Sequence, residues 1–128
     1  MAGMWQRIRG ALGGLAATTS ELEAQDLAAK TLRHGGTPIA EVVDREPAVV
    51  CGEVRSVALR PQVQVPALVV EIVDGTRPME LVWLGRREIA GIEPGVMLRV
   101  RGRTTFRRGI ATIFNPSYDI VPMNPQHG

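Results

Sequence analysis

Five arginines and a phenylalanine fall within residues 98–109, LRVRGRTTFRRG. Guanidinium groups bind phosphates bidentately, and an aromatic ring among them offers a face on which a base can stack. The segment divides in two. From Leu98 to Arg103 apolar and basic residues alternate, which in a strand sends Leu98, Val100 and Gly102 to one face and Met97, Arg99, Arg101 and Arg103 to the other. The second half, TTFRRG, reads as a polar loop ended by glycine that carries Phe106, Arg107 and Arg108.

The remaining reactive side chains are few. Cys51 is the single cysteine, so it has no intrachain disulfide partner, and with no His or second Cys near it in sequence it reads as a small buried strand residue. His34 falls at a helix end and His127 in a tail, and Glu21, Glu23 and Asp26 suit the first turn of a helix rather than a pair of catalytic acids. Hydrolysis or group transfer requires a positioned base, nucleophile or metal, and these residues assemble into none. The sequence therefore reads as a non-catalytic binding module without cofactor or metal. The formal charge of +2 is unevenly made. Residues 45–128 hold eleven Arg against eight acidic side chains, a net +3, whereas residues 1–44 hold four basic and five acidic ones, a net −1. So small an excess does not by itself establish a polyanion partner.

The elements that must position the arginines are mostly strands. Residues 1–36 form an N-terminal helical extension. Within it, Met4, Trp5, Ile8, Ala11, Leu12 and Leu15 share one face of a marginal amphipathic helix over 4–16, whose glycines Gly10, Gly13 and Gly14 weaken it until it docks. A second helix spans 21–34, with Ser20 and Glu23 at capping-box spacing, Leu22, Ala28, Ala29 and Leu32 on one face, Leu27 off it, and Gly35-Gly36 as its stop. Thr37 and Pro38 then suit the cap and first position of a short helical turn. Neither the N-terminus nor any later stretch has the apolar length of a membrane span or a secretory leader, and the expected location is the cytoplasm.

From Pro47 onward the apolar period is two. AVVCGEVRSVALRP is one long strand in which Val50, Gly52 and Val54 have one parity and Val57 and Leu59 the other, so a β-bulge and a bend are predicted near Arg55-Ser56. ALVVEIVDG and MELVWLGR follow as a second and third strand joined at Asp74-Gly75, VMLRVRGR is the fourth, and IATIFNPSYDIV, interrupted at Asn115-Pro116, is the fifth. A longer link, REIAGIEPG, separates the third from the fourth. This layout predicts a mainly β fold, a five-stranded Greek-key barrel over residues 37–122 with a flexible tail at 123–128.

Gly52, Asp74-Gly75, VWLGRR, GIEPG, RVRGR and NPSY, spread over residues 37–122, resemble the OB-fold nucleic-acid-binding domain proteins of actinobacteria, which are similar in turn to the anticodon-binding OB domain of aminoacyl-tRNA synthetases. The resemblance implies binding of single-stranded DNA or RNA across strands two and three and the flanking loops. The contact candidates are then Arg60, Trp83, Arg86, Arg87, Phe106, Arg107 and Arg108, with the strand row Arg99, Arg101 and Arg103. Three of these carry alternatives: Trp83 is a stacking platform or core, Phe106 is a stacking ring or folds back over a barrel end, and the strand row is a phosphate track or a solvated face paired with Glu53 or other carboxylates. A different class of function is also open: a protein adaptor using an outer apolar strip of Val63, Val65, Val69, Val82 and Leu84 and the helix at 4–16.

Overall fold

The computed structural model describes residues 15–61 and 64–122. Its strands are β1 (Pro47–Arg60), β2 (Ala67–Val73), β3 (Pro78–Leu84), β4 (Met97–Arg107), β5 (Ile110–Phe114) and β6 (Ser117–Val121), preceded by helix α1 (Leu15–Arg33) and a 3₁₀ turn, η1 (Ile39–Glu41). Sheet order is β1-β2-β3-β5-β4-β6, and a β1–β4 pairing closes the first five strands into a ring. All neighbours are antiparallel except β3 and β5. This is a Greek-key barrel of the OB type.

The long first strand serves both sides of the ring because it bends. Pro47–Glu53 pairs with β4, Glu53–Arg60 pairs with β2, and the register slips between Val54 and Ser56. The bulge thus sits where the sequence shifts phase. At the bend β1 passes close to β2: a Cβ on Gly52 would stand 3.1 Å from both Ile72 Cβ and Val73 O. Six strands form where five are predicted, since Asn115, at φ +51, breaks the last one and moves its second half along β4.

Leu68, Val70 and Ile72 of β2, Met79, Leu81 and Trp83 of β3, Leu98 and Val100 of β4, and Ala111 and Ile113 of β5 fill the barrel. Ile39 and Val42 join this core from the η1 segment, and Ile89 and Ile92 from the link before β4. Gly102 also points inward, with its Cα side against Ile113.

Helix α1 begins at or before Leu15, so Ser20 lies inside it rather than capping it. Its packed face also differs from the predicted one: Leu27 and Thr31 are buried, whereas Leu22 and Leu32 are exposed. The reason is the β2–β3 turn, whose Gly75 sits against Ala24 and Ala28, so the docked stripe is 24, 27, 28 and 31. Residues 4–14 of the predicted amphipathic helix lie outside the described residues. Beneath α1, Leu27 packs with Cys51, Met97 and Val121. Met97 has the outward parity of its strand and is nonetheless fully buried, because α1 covers that face. Burial pushes the Cys51 thiol pKa up, against the opposing pull of Arg99, so the thiol stays protonated and unreactive at neutral pH.

Thr37 does not cap η1. Asp74, at the end of β2, does so from across the chain: its Oδ2 accepts from Ile39 N at 2.8 Å, and its Oδ1 accepts from Thr76 N at 2.9 Å, Thr76 Oγ1 at 2.6 Å and Arg77 N at 3.3 Å. Thr76 Oγ1 in turn accepts from Ala40 N at 3.1 Å. The β2–β3 turn and η1 are therefore one hydrogen-bonded unit at one end of the barrel.

Candidate nucleic-acid interface

Directly opposite residues share a face, so the pairing register reads out the barrel's outer surface. Across β1, β2, β3 and β5 one row runs Ala58, Val69, Val82, Phe114, and the next runs Ser56, Glu71, Glu80, Thr112. Ala67, Val69 and Val82 make a small apolar cluster of their own outside the main core. Two glutamates thus face each other near the middle of this surface. Arg60, at the end of β1, reaches Glu80 at 3.8 Å.

The β4–β5 connection is not a loop. Thr104 to Arg107 continue β4, Arg107 pairs with Ile110, and only Arg108 and Gly109 turn the chain, at φ +54 and +82. Two successive positive φ values mark a type I′ hairpin, a turn that favours Asn-Gly and whose first position is strained for an arginine. The consequence is that consecutive side chains point apart. Phe106 has inward parity at the open end of the barrel and stays 39 % exposed, with its N–H donating to Asp44 Oδ1 at 2.9 Å. Arg107 lies on the outer face, its guanidinium carbon 5.3 Å from the centroid of the Phe114 ring. Because Arg107 starts opposite Ile110 and ends at Phe114, its stem crosses above Thr112, which is fully buried. Phe114 itself is 38 % exposed.

The remaining candidates separate into groups. Arg86 and Arg87 are exposed just beyond β3, at the end of the barrel where Gly85 N donates to Pro66 O at 2.7 Å, and so near the end that carries Arg60. Trp83 is not a stacking platform. It is 5 % exposed, donates from Nε1 to Pro116 O at 3.2 Å and meets Tyr118 edge to face at 5.7 Å. The row Arg99, Arg101, Arg103 sits on β4 between β1 and β6, away from the β2–β3 face. Its partners are backbone carbonyls rather than Glu53: Arg99 donates to His34 O at 2.9 Å, fastening the end of α1, and Arg103 donates to Arg45 O at 2.6 Å. Arg101 is exposed.

Of the predicted outer apolar strip, Val65 and Leu84 are exposed, Val69 and Val82 are buried, and Val63 lies outside the described residues. The residue that sequence reasoning missed is Phe114. It stands one residue from Ile113, so alternation against the inward Ala111 and Ile113 places it outside. Among the described residues no three His, Cys, Asp or Glu side chains gather as a metal site, and no helix is long and apolar enough to cross a membrane.

No protein-family model and no curated protein matches the chain. Among solved structures, a chain of a replication protein A heterotrimer bound to ssDNA is similar over 75 % of this chain and 81 % of that one, with 16 % identity and a TM-score of 0.49.

Proposed function

We propose that the barrel is a non-catalytic module that binds single-stranded nucleic acid across the outer face of β2, β3 and β5. Phosphates are held by Arg108 at the hairpin and by Arg86 and Arg87 beyond β3, six residues or roughly 20 Å away along β3, with the guanidinium groups of Arg107, over Phe114, and Arg60, beside Glu80, between them. Bases lie against the exposed Phe114 ring. The observation that carries this reading is the exposed Phe114 ring with the Arg107 guanidinium laid over it, a cation and a stacking surface at one edge of the face. Glu80 and Glu71 repel phosphate at the centre and accept from the exocyclic amino groups of bases.

The test is Arg107→Ala/Arg108→Ala measured by fluorescence anisotropy against single-stranded DNA, single-stranded RNA and duplex DNA. Both side chains are solvent-facing, so a loss of about tenfold on the preferred single strand is expected rather than the full value of two buried charge-assisted bonds. Unchanged affinity would remove the hairpin from the interface.

The central pair Glu71 and Glu80, beside the exposed Leu84 and Val65, favours a second reading, a protein adaptor whose partner brings apolar anchors and a basic side chain. In that case no oligonucleotide binds at low salt, and Leu84→Asp abolishes retention of a protein partner.

A further inference from the structure

A second recess lies around the corner from the outer face, between η1, the start of β3 and the β4–β5 turn. Its walls are apolar, formed by Ile39, Pro78, Phe106 and Ile110, with Gly109 at the lip and Arg77 at the rim. Phe106 and Ile110 are each 39 % exposed, so the cleft presents apolar surface to solvent. The backbone of both is fixed: Phe106 N–H donates to Asp44 and Phe106 pairs with Ala111, and Ile110 pairs with Arg107. The opposite wall is equally fixed, because Asp74 and Thr76 hold the N–H groups of Ile39 and Ala40.

Size and charge narrow what the recess takes. Its space is about 140 Å³, close to the roughly 150 Å³ of an apolar cavity that accepts a single benzene ring. One six-membered ring fills that space. Arg77 stands at the rim and Arg108 on the adjoining turn, both exposed, and neither forms an ion pair among the described residues. An apolar slot for one ring, walled by an aromatic and bordered by two guanidinium groups, matches a pyrimidine base with its flanking phosphates.

We infer that this cleft receives one pyrimidine base of the bound strand, turned away from its neighbours at the β4–β5 hairpin, with Arg77 and Arg108 on the adjacent phosphates. The inference rests on the nucleic-acid reading above. It adds a base pocket and a pyrimidine preference at one position of the strand.

The test scans a single abasic position along a fluorescein-labelled octathymidylate, with affinities measured by anisotropy on the full chain. Base–aromatic stacking of about 1–3 kcal/mol corresponds to roughly a five- to hundredfold loss. One position near an end of the oligomer is expected to show it, and an adenine there to cost a similar factor. Phe106→Leu keeps an apolar side chain but not the ring. It should weaken the intact octathymidylate by the same factor and erase the penalty at that position alone, leaving any penalty from Phe114 elsewhere. Tight binding with no position coupled to Phe106, or an adenine tolerated throughout, overturns the pocket while leaving the outer-face reading intact. No binding of the intact oligomer at low salt overturns both.

Discussion

Asp74→Ala is expected to lower the unfolding free energy by about 3–5 kcal/mol and the midpoint of thermal unfolding by roughly 10–20 °C. The carboxylate is 3 % exposed and accepts four hydrogen bonds, from Ile39 N, Thr76 N, Thr76 Oγ1 and Arg77 N. Burying a charge opposes folding, and replacing a buried charged group can be nearly neutral when its partners go too. Here the partners stay. Three are backbone N–H groups, and alanine leaves Ile39 N without an acceptor where it is buried, at a cost of about 1–3 kcal/mol for that donor alone. Asp74→Asn keeps one acceptor oxygen and should lose about half as much. Urea denaturation followed by circular dichroism measures both. A change below about 0.5 kcal/mol for the alanine variant would mean that η1 is not fastened through this residue. Because the η1 segment is also one wall of the base cleft, Asp74→Asn should weaken the Phe106-dependent position before it weakens binding as a whole.

Gly75→Ala is expected to release helix α1 and to cost about 2–4 kcal/mol. Gly75 has φ +89, and its missing Cβ would lie 2.5 Å from Ala24 O and 2.9 Å from Ala28 N, both backbone atoms of the helix. A side chain there faces a conformational cost of about 1–2 kcal/mol and a clash that no rotamer relieves. The loss is bounded by what docking provides. If the helix leaves, the burial of Leu27, worth roughly 1.5–3 kcal/mol, goes with it, together with the Arg99 bond to His34 O. The main core contains no α1 residue, so the barrel should persist. Gly109→Ala is the control, since φ there is +82 and nothing stands within 4 Å of the added carbon. Helical ellipticity should fall in Gly75→Ala while the Trp83 indole N–H, bonded to Pro116 O, keeps its protection from exchange. Simultaneous loss of both signals, or equal behaviour of the two glycine variants, would contradict a helix docked through this turn.

Much of the barrel is legible in the sequence because it depends on parity. The shift between Val54 and Val57 announces the bulge, and the inward set Leu98, Val100 and Gly102 follows from alternation alone. The long link from Gly85 to Val96 carries the chain across to the other side of β1, which is what closes the ring. Features that depend on what covers a face are not legible in this way. Met97 reads as outward and is buried only because α1 lies on it, and Leu27 reads as off the helix face until Gly75 fixes which stripe docks.

The candidate site was less readable, for three physical reasons. Backbone carbonyls leave no mark in the sequence, so it offers Arg99 and Arg103 phosphates or carboxylates as partners and not His34 O and Arg45 O. A type I′ turn usually declares itself through Asn-Gly, and Arg108-Gly109 does not, so a tight hairpin reads as a six-residue loop. That misreading also placed Phe106 and Arg107 together, whereas the strand sends them to different surfaces. Each then acquires its own partner: Arg107 stacks on Phe114, and Phe106 lines the cleft.

The central claim is that arginines of the outer face hold phosphates, and the most direct measurement is the salt dependence of single-strand binding. Anisotropy titrations of one labelled oligonucleotide over a range of salt concentrations give the slope of log K against log salt. With three of the five arginines Arg60, Arg86, Arg87, Arg107 and Arg108 on phosphates, the slope should be near −2, from about −0.7 per contact, and Arg107→Ala/Arg108→Ala should make it shallower by roughly 1.4. A slope near zero, or one that the double variant leaves unchanged, would contradict it.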